Sequence, residues 1–181
     1  MSHKYKFHNP KGLYFVSFAT VYWIDLFVKE IYFEIMTGSL KYSIENKGLL
    51  LYSWCIMPSH VHLIFSSLDN KPGAILGHCK TFTSKALQKE ISEHYGESRK
   101  EWMLWMFKRA GLLNSNVSNM QLWQQDSHPI QLWSPVVIDQ KMEYIHMNPV
   151  VAGFVAEPHY WKYSSAIDYN GGKGLLKLCN V

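Results

Sequence analysis

Two apolar segments joined by a very short break constrain the fold of this chain more than any other feature. Residues 49–57 form a nearly continuous apolar run, Pro58 ends it, and the next segment, His60–Ser67, alternates His, Val, His, Leu, Ile and Phe at its start. Runs of this length that are bounded by proline and rich in aromatic or β-branched residues are typical of strands. The short break between them predicts that the two strands pair as an antiparallel hairpin.

The patterns on either side of this hairpin alternate between strand and helix. Residues 14–23 are dense in aromatic and β-branched types and predict a buried strand. A further strand region is predicted at residues 122–133, interrupted by Pro129. Apolar residues at helical spacing predict three helices, over residues 25–46 (one helix, or two broken near Gly38), 74–95 and 101–110.

The last helical pattern lies between a capping residue and a proline. Asp139 is suited to the N-cap position, and the helix is expected to end at Asn148 because the residue before Pro149 avoids the helical conformation. The order of elements is then β-α-β-β-α-α-β-α. This order predicts an antiparallel sheet covered by helices, an α+β fold.

Composition restricts the class of protein. The chain has 181 residues, of which 48% are hydrophobic and 18% charged, so it can bury a core and differs from a disordered chain. Its formal charge of +4 permits an anionic partner without requiring one. Three cysteines without C-x-x-C spacing argue against a disulfide framework and a thiolate zinc site. The apolar run near the N-terminus could resemble a signal peptide, but it is rich in aromatic residues, no A-x-A site follows it, and it is shorter than the roughly 20 residues that span a bilayer, so we expect a buried strand. The cysteine usage favours a reducing cytosol, and we expect a cytoplasmic protein without a membrane partner.

The first candidate functional feature is the pair His60 and His62. Residues i and i+2 of a strand project from the same face about 7 Å apart, so the two imidazoles can converge on one cation, while Val61 points to the opposite face and fits a core. The alternative is a pair of surface or hydrogen-bonded histidines with no ligand. Imidazole suits several transition metals, so the pair alone leaves the identity of the metal open.

The second candidate feature lies on the last predicted helix. Tyr144 and Asn148 are four residues apart and therefore share one helix face. A tyrosine can act as a covalent nucleophile, and an asparagine oxygen can bind a hard cation. The alternative is that the tyrosine only packs against its neighbours. His146 lies about 200° around the helix from Tyr144, so we expect it to be structural or to support the site indirectly.

Together these features resemble a known family. The strand with His60 and His62, the lysine-bearing helix at residues 79–85 and the segment Tyr-Ile-His-Met-Asn-Pro-Val-Val-Ala-Gly at 144–153 are similar to the single-tyrosine HUH transposases. The segments at 122–125 and 161–166, with Tyr169, also resemble the branch formed by the REP-associated tyrosine transposases. The resemblance extends from about residue 14 to residue 174.

The resemblance implies a fold, a site and a reaction. The fold is ferredoxin-like, with the histidine-bearing strand central and the nucleophile tyrosine on a helix. His60, His62 and Asn148 would hold a divalent metal, Mg²⁺ or Mn²⁺, and Tyr144 would cleave single-stranded or hairpin DNA. The 5′-phosphotyrosine that results can be rejoined to another 3′-OH. The family also suggests a possible homodimer.

The resemblance leaves two parts of the chain to be interpreted separately. We expect one domain over residues 1–181, in which residues 97–119 are an addition to the family core. On the helix at residues 74–95, three lysines form a polar face that could follow DNA phosphates or could simply be solvated. These lysines are Lys80, Lys85 and Lys89.

Two other functions are compatible with the same residues. The first is a catalytically silent module that binds a DNA hairpin, against which the joint presence of His60, His62, Tyr144 and Asn148 argues. The second is an unrelated hydrolase in which the two histidines hold a metal that activates water. Few acidic residues lie near either motif to complete such a site.

Overall fold

A four-stranded antiparallel sheet forms the middle of the molecule, and helices lie against both of its faces. The computed structural model describes residues 6–117 and 119–180. Its strands are β1 (Leu13–Ala19), β2 (Leu49–Ile56), β3 (His60–Ser67) and β4 (Ile130–Leu132). Its α-helices are α1 (Glu30–Asn46), α2 (Pro72–Glu93), α3 (Lys100–Leu112), α4 (Pro135–Val151) and α5 (Ala166–Tyr169), with short 3-10 helices at Val21–Trp23 and Pro158–Tyr160.

The strand order identifies the fold. The strands lie in the order β2-β3-β1-β4, and every neighbouring pair is antiparallel. With α1 between β1 and β2, and α2 between β3 and β4, this is the β-α-β-β-α-β arrangement of ferredoxin-like folds. The predicted hairpin is present as β2 and β3, and the predicted α+β ferredoxin-like class is confirmed. Strand β3 has a hydrogen-bonded neighbour on each side.

The side chains of β3 divide between the two faces of the sheet. Val61, Leu63 and Phe65 are buried in the large core formed with α1, α2 and α3. Ile64 belongs to a smaller buried cluster on the other face, which includes Ile145 of α4. Because side chains alternate along a strand, His60 and His62 share this second face. The face that α4 covers is therefore the face on which the candidate site lies.

The strand predicted at residues 14–23 is too long. Strand β1 ends at Ala19, and the chain then makes the 3-10 helix Val21–Trp23, in which Tyr22 and Trp23 have positive φ angles of 56° and 55°. The turn is fixed by Thr20, which donates a side-chain hydrogen bond to the carbonyl oxygen of Ile24 at 2.8 Å. Aromatic composition favours a strand, but this bond and the long-range bond from Thr20 N–H to the carbonyl oxygen of Ser59, at 2.9 Å, override that preference.

The helix predicted at residues 25–46 begins later than expected. Residues 25–29 lie outside it, and α1 then continues through Gly38 without a break. A glycine inside a helix costs about 1 kcal/mol relative to alanine. Burial of Met36 and Leu40 on either side of the glycine offsets that cost.

Helix α4 differs from its prediction at both ends. Its N-cap is Ser134, whose side chain accepts a hydrogen bond from the backbone N–H of Val137, so the prediction of Asp139 as N-cap is wrong. The helix also continues past Pro149, which is buried against the rest of the fold. Hydrogen bonds after the proline, including that from Ala152 N to the carbonyl oxygen of Asn148 at 3.0 Å, complete the last turn.

The remaining elements agree with the sequence in part. Helices α2 and α3 lie where helices were predicted, within about two residues at each end. Of the strand region at 122–133, only β4 forms, although Trp123 makes an isolated bridge to Thr20. Helix α3, inside the segment predicted as an addition, buries Met103 and Phe107 in the large core. Among the residues that the structure describes, no helix is both long and apolar enough to cross a bilayer.

Candidate active site

The two histidines lie side by side on the face of the sheet that α4 covers. Their ring centroids are 4.7 Å apart, with His62 only 2% exposed and His60 partly exposed. His62 lies opposite Ser17 of β1 and Cys55 of β2. These two neighbours are small, so the imidazole can lie against the sheet, where it stacks on the Phe15 ring at a centroid distance of 5.6 Å.

Burial keeps both imidazoles neutral at physiological pH. The pKa of His62 is lowered to about 3 by burial, by the neighbouring His60 and by the charge of Lys141. Burial also lowers the pKa of His60, against an opposing contribution from a hydrogen bond with Asn148. Neutral imidazole is the form that binds metal ions. The pair is therefore in the correct protonation state to act as ligands.

Helix α4 brings Asn148 and Tyr144 to the histidines. The Nδ2 atom of Asn148 lies 3.3 Å from Nε2 of His62. One helical turn earlier, the Tyr144 ring packs edge-on against the His62 ring with a centroid distance of 5.3 Å. Tyr144 is 49% exposed, so a ligand at the surface can reach it. The structure thus brings together the four residues that the sequence analysis selected, from two elements distant in sequence.

His146 lies on the inner side of the same helix and holds it against the sheet. Its Nε2 atom is 3.2 Å from Oγ of Ser53 on β2 and 2.8 Å from Oγ of Ser165, just before α5. Burial lowers the pKa of His146 to about 4, so the ring is neutral in this polar contact. These bonds agree with the expected structural role. They fix the rotation of α4 and thereby the direction in which Tyr144 points.

Lys141 completes the site and was not selected from the sequence. Its Nζ atom lies 5.4 Å from the centroid of the Tyr144 ring and 4.9 Å from that of Phe15. It is three residues before Tyr144 on α4, a spacing that places both side chains on one helix face. That spacing was visible in the sequence, but a lysine at this distance is also common on a solvated helix face.

The ligand set available for a metal ion is small. Within residues 6–117 and 119–180, no group of three or more His, Cys, Asp or Glu side chains could hold a metal ion. A third protein ligand for the pair His60 and His62 must therefore be of another type. The carboxamide of Asn148 is in contact with His62, and rotation of the amide by half a turn presents its oxygen in place of its nitrogen. Two neutral imidazoles and one amide oxygen fit a divalent cation.

The three lysines of α2 do not share one environment. Lys85 and Lys89 are exposed, as expected. Lys80 differs, because its ammonium donates to the carbonyl oxygen of Gln124 at 2.8 Å and to Oγ of Ser127 at 2.9 Å. Burial lowers the pKa of Lys80 to about 8. DNA binding by these lysines stays a prediction, with Lys85 and Lys89 the accessible members.

Comparison with known proteins finds a similar curated protein and solved structures of similar fold, and no family model matches. The chain is 23% identical over 141 residues to a Haemophilus influenzae protein named "Putative REP-associated tyrosine transposase", a match that covers 74% of this chain and 68% of that protein. Its fold also matches a solved structure of a REP-associated tyrosine transposase bound to a REP hairpin. That match has a TM-score of 0.66 and 15% identity, and covers 100% of this chain and 93% of the other. The resemblance to the REP-associated tyrosine transposases is therefore confirmed.

Proposed function

We propose that this protein is a metal-dependent strand transferase that cleaves and rejoins single-stranded or hairpin DNA through a 5′-phosphotyrosine on Tyr144. The observation that carries the proposal is the contact of Tyr144 and Asn148 with one histidine, His62, at the sheet surface. Hairpin DNA is the proposed substrate class because a protein of the same fold was solved with a REP hairpin. The curated relative supports the same class of enzyme.

Three residues would hold the metal. His60 and His62 would contribute imidazole nitrogens, and Asn148 its amide oxygen. A divalent ion bound there, Mg²⁺ or Mn²⁺, would polarise the scissile phosphate and stabilise charge on the departing oxygen. In the present contact Asn148 donates to Nε2 of His62, so the ring carries its hydrogen on Nδ1, a buried atom without a hydrogen-bond partner in the described part of the chain. That tautomer leaves the Nε2 lone pair directed towards Asn148.

Tyr144 supplies the nucleophile. Its oxygen forms a bond to phosphorus while the bond from phosphorus to the 3′ oxygen breaks, so the products are a 5′-phosphotyrosine and a free 3′-OH. The phenol gives up its proton and the departing oxygen gains one. The phosphodiester energy is kept in the tyrosyl link, and attack by another 3′-OH reverses the step without ATP. Half of the Tyr144 side chain is exposed, which gives the phosphate access to it.

Lys141 would assist the same step electrostatically. Its ammonium lies over the Tyr144 ring and over the Phe15 ring, which stacks on His62. A cation at this position stabilises the negative charge that develops on the attacking oxygen and on the phosphate in the transition state. We therefore assign Lys141 a role in stabilising charge during the transfer.

The test is denaturing gel electrophoresis after incubation of the protein with a 5′- or 3′-labelled hairpin oligonucleotide and Mn²⁺. We expect a covalent adduct that carries only the fragment 3′ of the cut, since the tyrosine is joined to the 5′ phosphate. Binding without an adduct would contradict the proposal and favour a silent hairpin-binding module. Cleavage without an adduct would favour a hydrolase that uses water.

A further inference from the structure

A strained turn lies beside the histidine pair. Tyr22 and Trp23 both have left-handed backbone conformations, which are uncommon for residues other than glycine. Such conformations persist only where the surrounding structure enforces them, and they concentrate at functional sites. Here Thr20 enforces the turn, because its backbone N–H donates to the carbonyl oxygen of Ser59 at 2.9 Å and its hydroxyl donates to that of Ile24. The turn is therefore held in one shape.

This shape presents two aromatic rings to solvent. Tyr22 is 45% exposed and Trp23 is 58% exposed, so the strained turn does not serve to bury them. The Trp23 ring approaches the His60 ring edge-on, with a centroid distance of 5.6 Å. A base next to a phosphate held at the histidines would meet this indole first. Exposed aromatic rings of this kind are the surfaces on which unpaired bases stack.

A polar cleft of about 560 Å³ begins at Tyr22. Its other walls come from the end of α3 and the chain that follows, and they carry the carboxamides of Asn114, Gln121, Gln124 and Gln125. Carboxamides offer both hydrogen-bond donors and an acceptor, and they are among the groups that recognise base edges. The cleft thus combines an aromatic wall with hydrogen-bonding groups suited to a nucleobase.

The carboxamides of the cleft are held in place. Asn114 Nδ2 donates to Gln121 Oε1 at 2.8 Å, and Gln124 Nε2 donates to the carbonyl oxygen of Thr20 at 3.0 Å. Lys80 fixes the same segment from behind through its hydrogen bond to the carbonyl oxygen of Gln124. An amide nitrogen that donates once has a second hydrogen to offer. These groups are therefore positioned before any ligand arrives.

We propose that this turn and cleft form a nucleobase subsite, which binds an unpaired base of the DNA strand whose phosphate lies at the histidines. We name it the base cleft and define it by Tyr22, Gln121, Gln124 and Gln125, which line it, and by the adjacent Trp23, whose ring lies beside His60. Tyr22 stacks on the base and the glutamines hydrogen-bond to its edge, while Trp23 offers a second stacking surface on the side of His60. The proposal rests on the proposed function for the location of the phosphate. It also gives the segment at residues 97–119 a role, because α3 and the residues after it build one wall.

The test measures binding in EDTA and in a Tyr144→Phe background, so that cleavage does not contribute. The probes are labelled dT12 and an abasic strand of the same length and charge, followed by fluorescence anisotropy. Trp23→Ala and Tyr22→Ala are each expected to weaken dT12 binding about 5- to 150-fold, the range for loss of one base–aromatic stack. Affinity for the abasic strand is expected to stay within about twofold, since phosphate contacts are unchanged.

Three further variants make the result specific. Trp23→Phe keeps an aromatic ring and is expected to restore most of the dT12 affinity. Trp102→Ala removes an indole of similar exposure, 50%, from the other end of α3 and is expected to change neither affinity. Gln125→Ala is expected to change the order of affinity among dA12, dC12 and dT12 while leaving the abasic strand unaffected.

Each outcome separates this inference from the proposed function. Equal loss of affinity for dT12 and the abasic strand, no loss for dT12, or no binding of any strand would overturn the base cleft. If the variants lose affinity only for strands that carry bases, and the native protein forms no covalent adduct, the base cleft is kept and the strand transferase is contradicted. If the native protein forms the adduct but the Tyr22 and Trp23 variants bind dT12 normally, the strand transferase is kept and the base cleft is contradicted.

Discussion

Asn148 donates from Nδ2 to Nε2 of His62 across 3.3 Å, so the last turns of α4 and the middle of β3 meet in one contact. The contact selects the His62 tautomer with its hydrogen on Nδ1. A half-turn of the Asn148 amide would place its oxygen, instead of its nitrogen, next to His62. The amide that we propose as a metal ligand is therefore next to one of the two imidazoles that we propose as ligands.

Tyr144→Phe is expected to abolish the covalent adduct. The substitution removes one oxygen and keeps the ring that packs against His62, so the fold and the affinity for hairpin DNA are expected to be retained. The adduct is measured on a denaturing gel and the affinity by gel shift. Tyr160→Phe, at another exposed tyrosine, is the matched control and is expected to form the adduct normally. An adduct on Tyr163 in the variant would refute the assignment.

His60→Ala and His62→Ala are each expected to abolish metal-dependent cleavage. Asn148→Ala is expected to weaken it less, because water can replace a neutral oxygen ligand. EDTA is expected to stop cleavage by the native protein, and Mn²⁺ to restore it. Binding of Mn²⁺ is measured by calorimetry in parallel. Cleavage that survives both chelation and the histidine substitutions would leave the pair with a structural role only.

Lys141→Gln is expected to slow adduct formation about 10- to 1,000-fold while hairpin affinity falls much less. The expected size is that of removing one charge-stabilising group from an active site. Lys108→Gln, on an exposed turn of α3, is the control for loss of a positive charge. The measurement is the single-turnover rate at saturating DNA. Equal changes in rate for the two variants would remove Lys141 from the site.

Lys80 and the pair Lys85 and Lys89 are expected to behave differently on substitution. Lys80→Met leaves the partly buried carbonyl of Gln124 without its donor, so the free energy of unfolding should fall by about 1 kcal/mol. Lys85→Ala with Lys89→Ala should leave stability within about 0.5 kcal/mol. If both contact phosphates, the slope of log affinity against log salt should fall by roughly 1.4 on single strands. An unchanged slope would show that DNA lies elsewhere.

Glu97 is expected to make stability depend on pH in the acid range. Burial would raise the pKa of Glu97, but hydrogen bonds from Arg99 and Tyr32 outweigh it and lower the pKa from 4.5 to about 2. The ionised form therefore stabilises the fold above pH 4.5, and this contribution is lost as the pH falls towards 2. Glu97→Gln should lower the free energy of unfolding by about 3 kcal/mol at pH 7 and by much less at pH 2.

Urea unfolding at the two pH values measures this difference. Glu101→Gln, at an exposed position of α3, is the control and should change stability little at either pH. A deficit for Glu97→Gln that is the same at both pH values would show that the ion pair and the tyrosine contact do not hold the carboxylate in its charged form.

The core of the site could be predicted because it depends on local periodicity. Alternation along β3 and the spacing of four residues on α4 fix the directions of His62, Tyr144 and Asn148 once each element is recognised. The error of five residues in the N-cap of α4 did not matter, because the spacing between residues within the helix is unaffected. Helical spacing also places Lys141 on the face of Tyr144, but a lysine at this position does not by itself indicate an active site.

The turn at Tyr22 and Trp23 could not be predicted for the opposite reason. Left-handed conformations are expected at glycine and asparagine, and nothing in the local composition of this segment indicates one. The hydrogen bonds that enforce it come from Ser59 and Gln124, which are far away in the sequence. The hydrogen bonds of Lys80 could not be predicted for a similar reason, since its partners lie on a segment that the helical pattern of α2 does not include.

Because the side chains of β3 alternate between the two faces of the sheet, the site depends on the exact register of this strand. One residue inserted between Ser59 and His60 would leave the site unchanged if β3 kept its pairing with β1 and β2. A slip of that pairing by one position would instead turn both imidazoles into the apolar layer beneath α1 and α2. The same slip would bring Val61 to face Tyr144. Pairing with β1 on one side and β2 on the other resists such a slip from both directions. Misregistered folding is therefore penalised twice, because it places imidazole in the large apolar core and removes Val61 from that core.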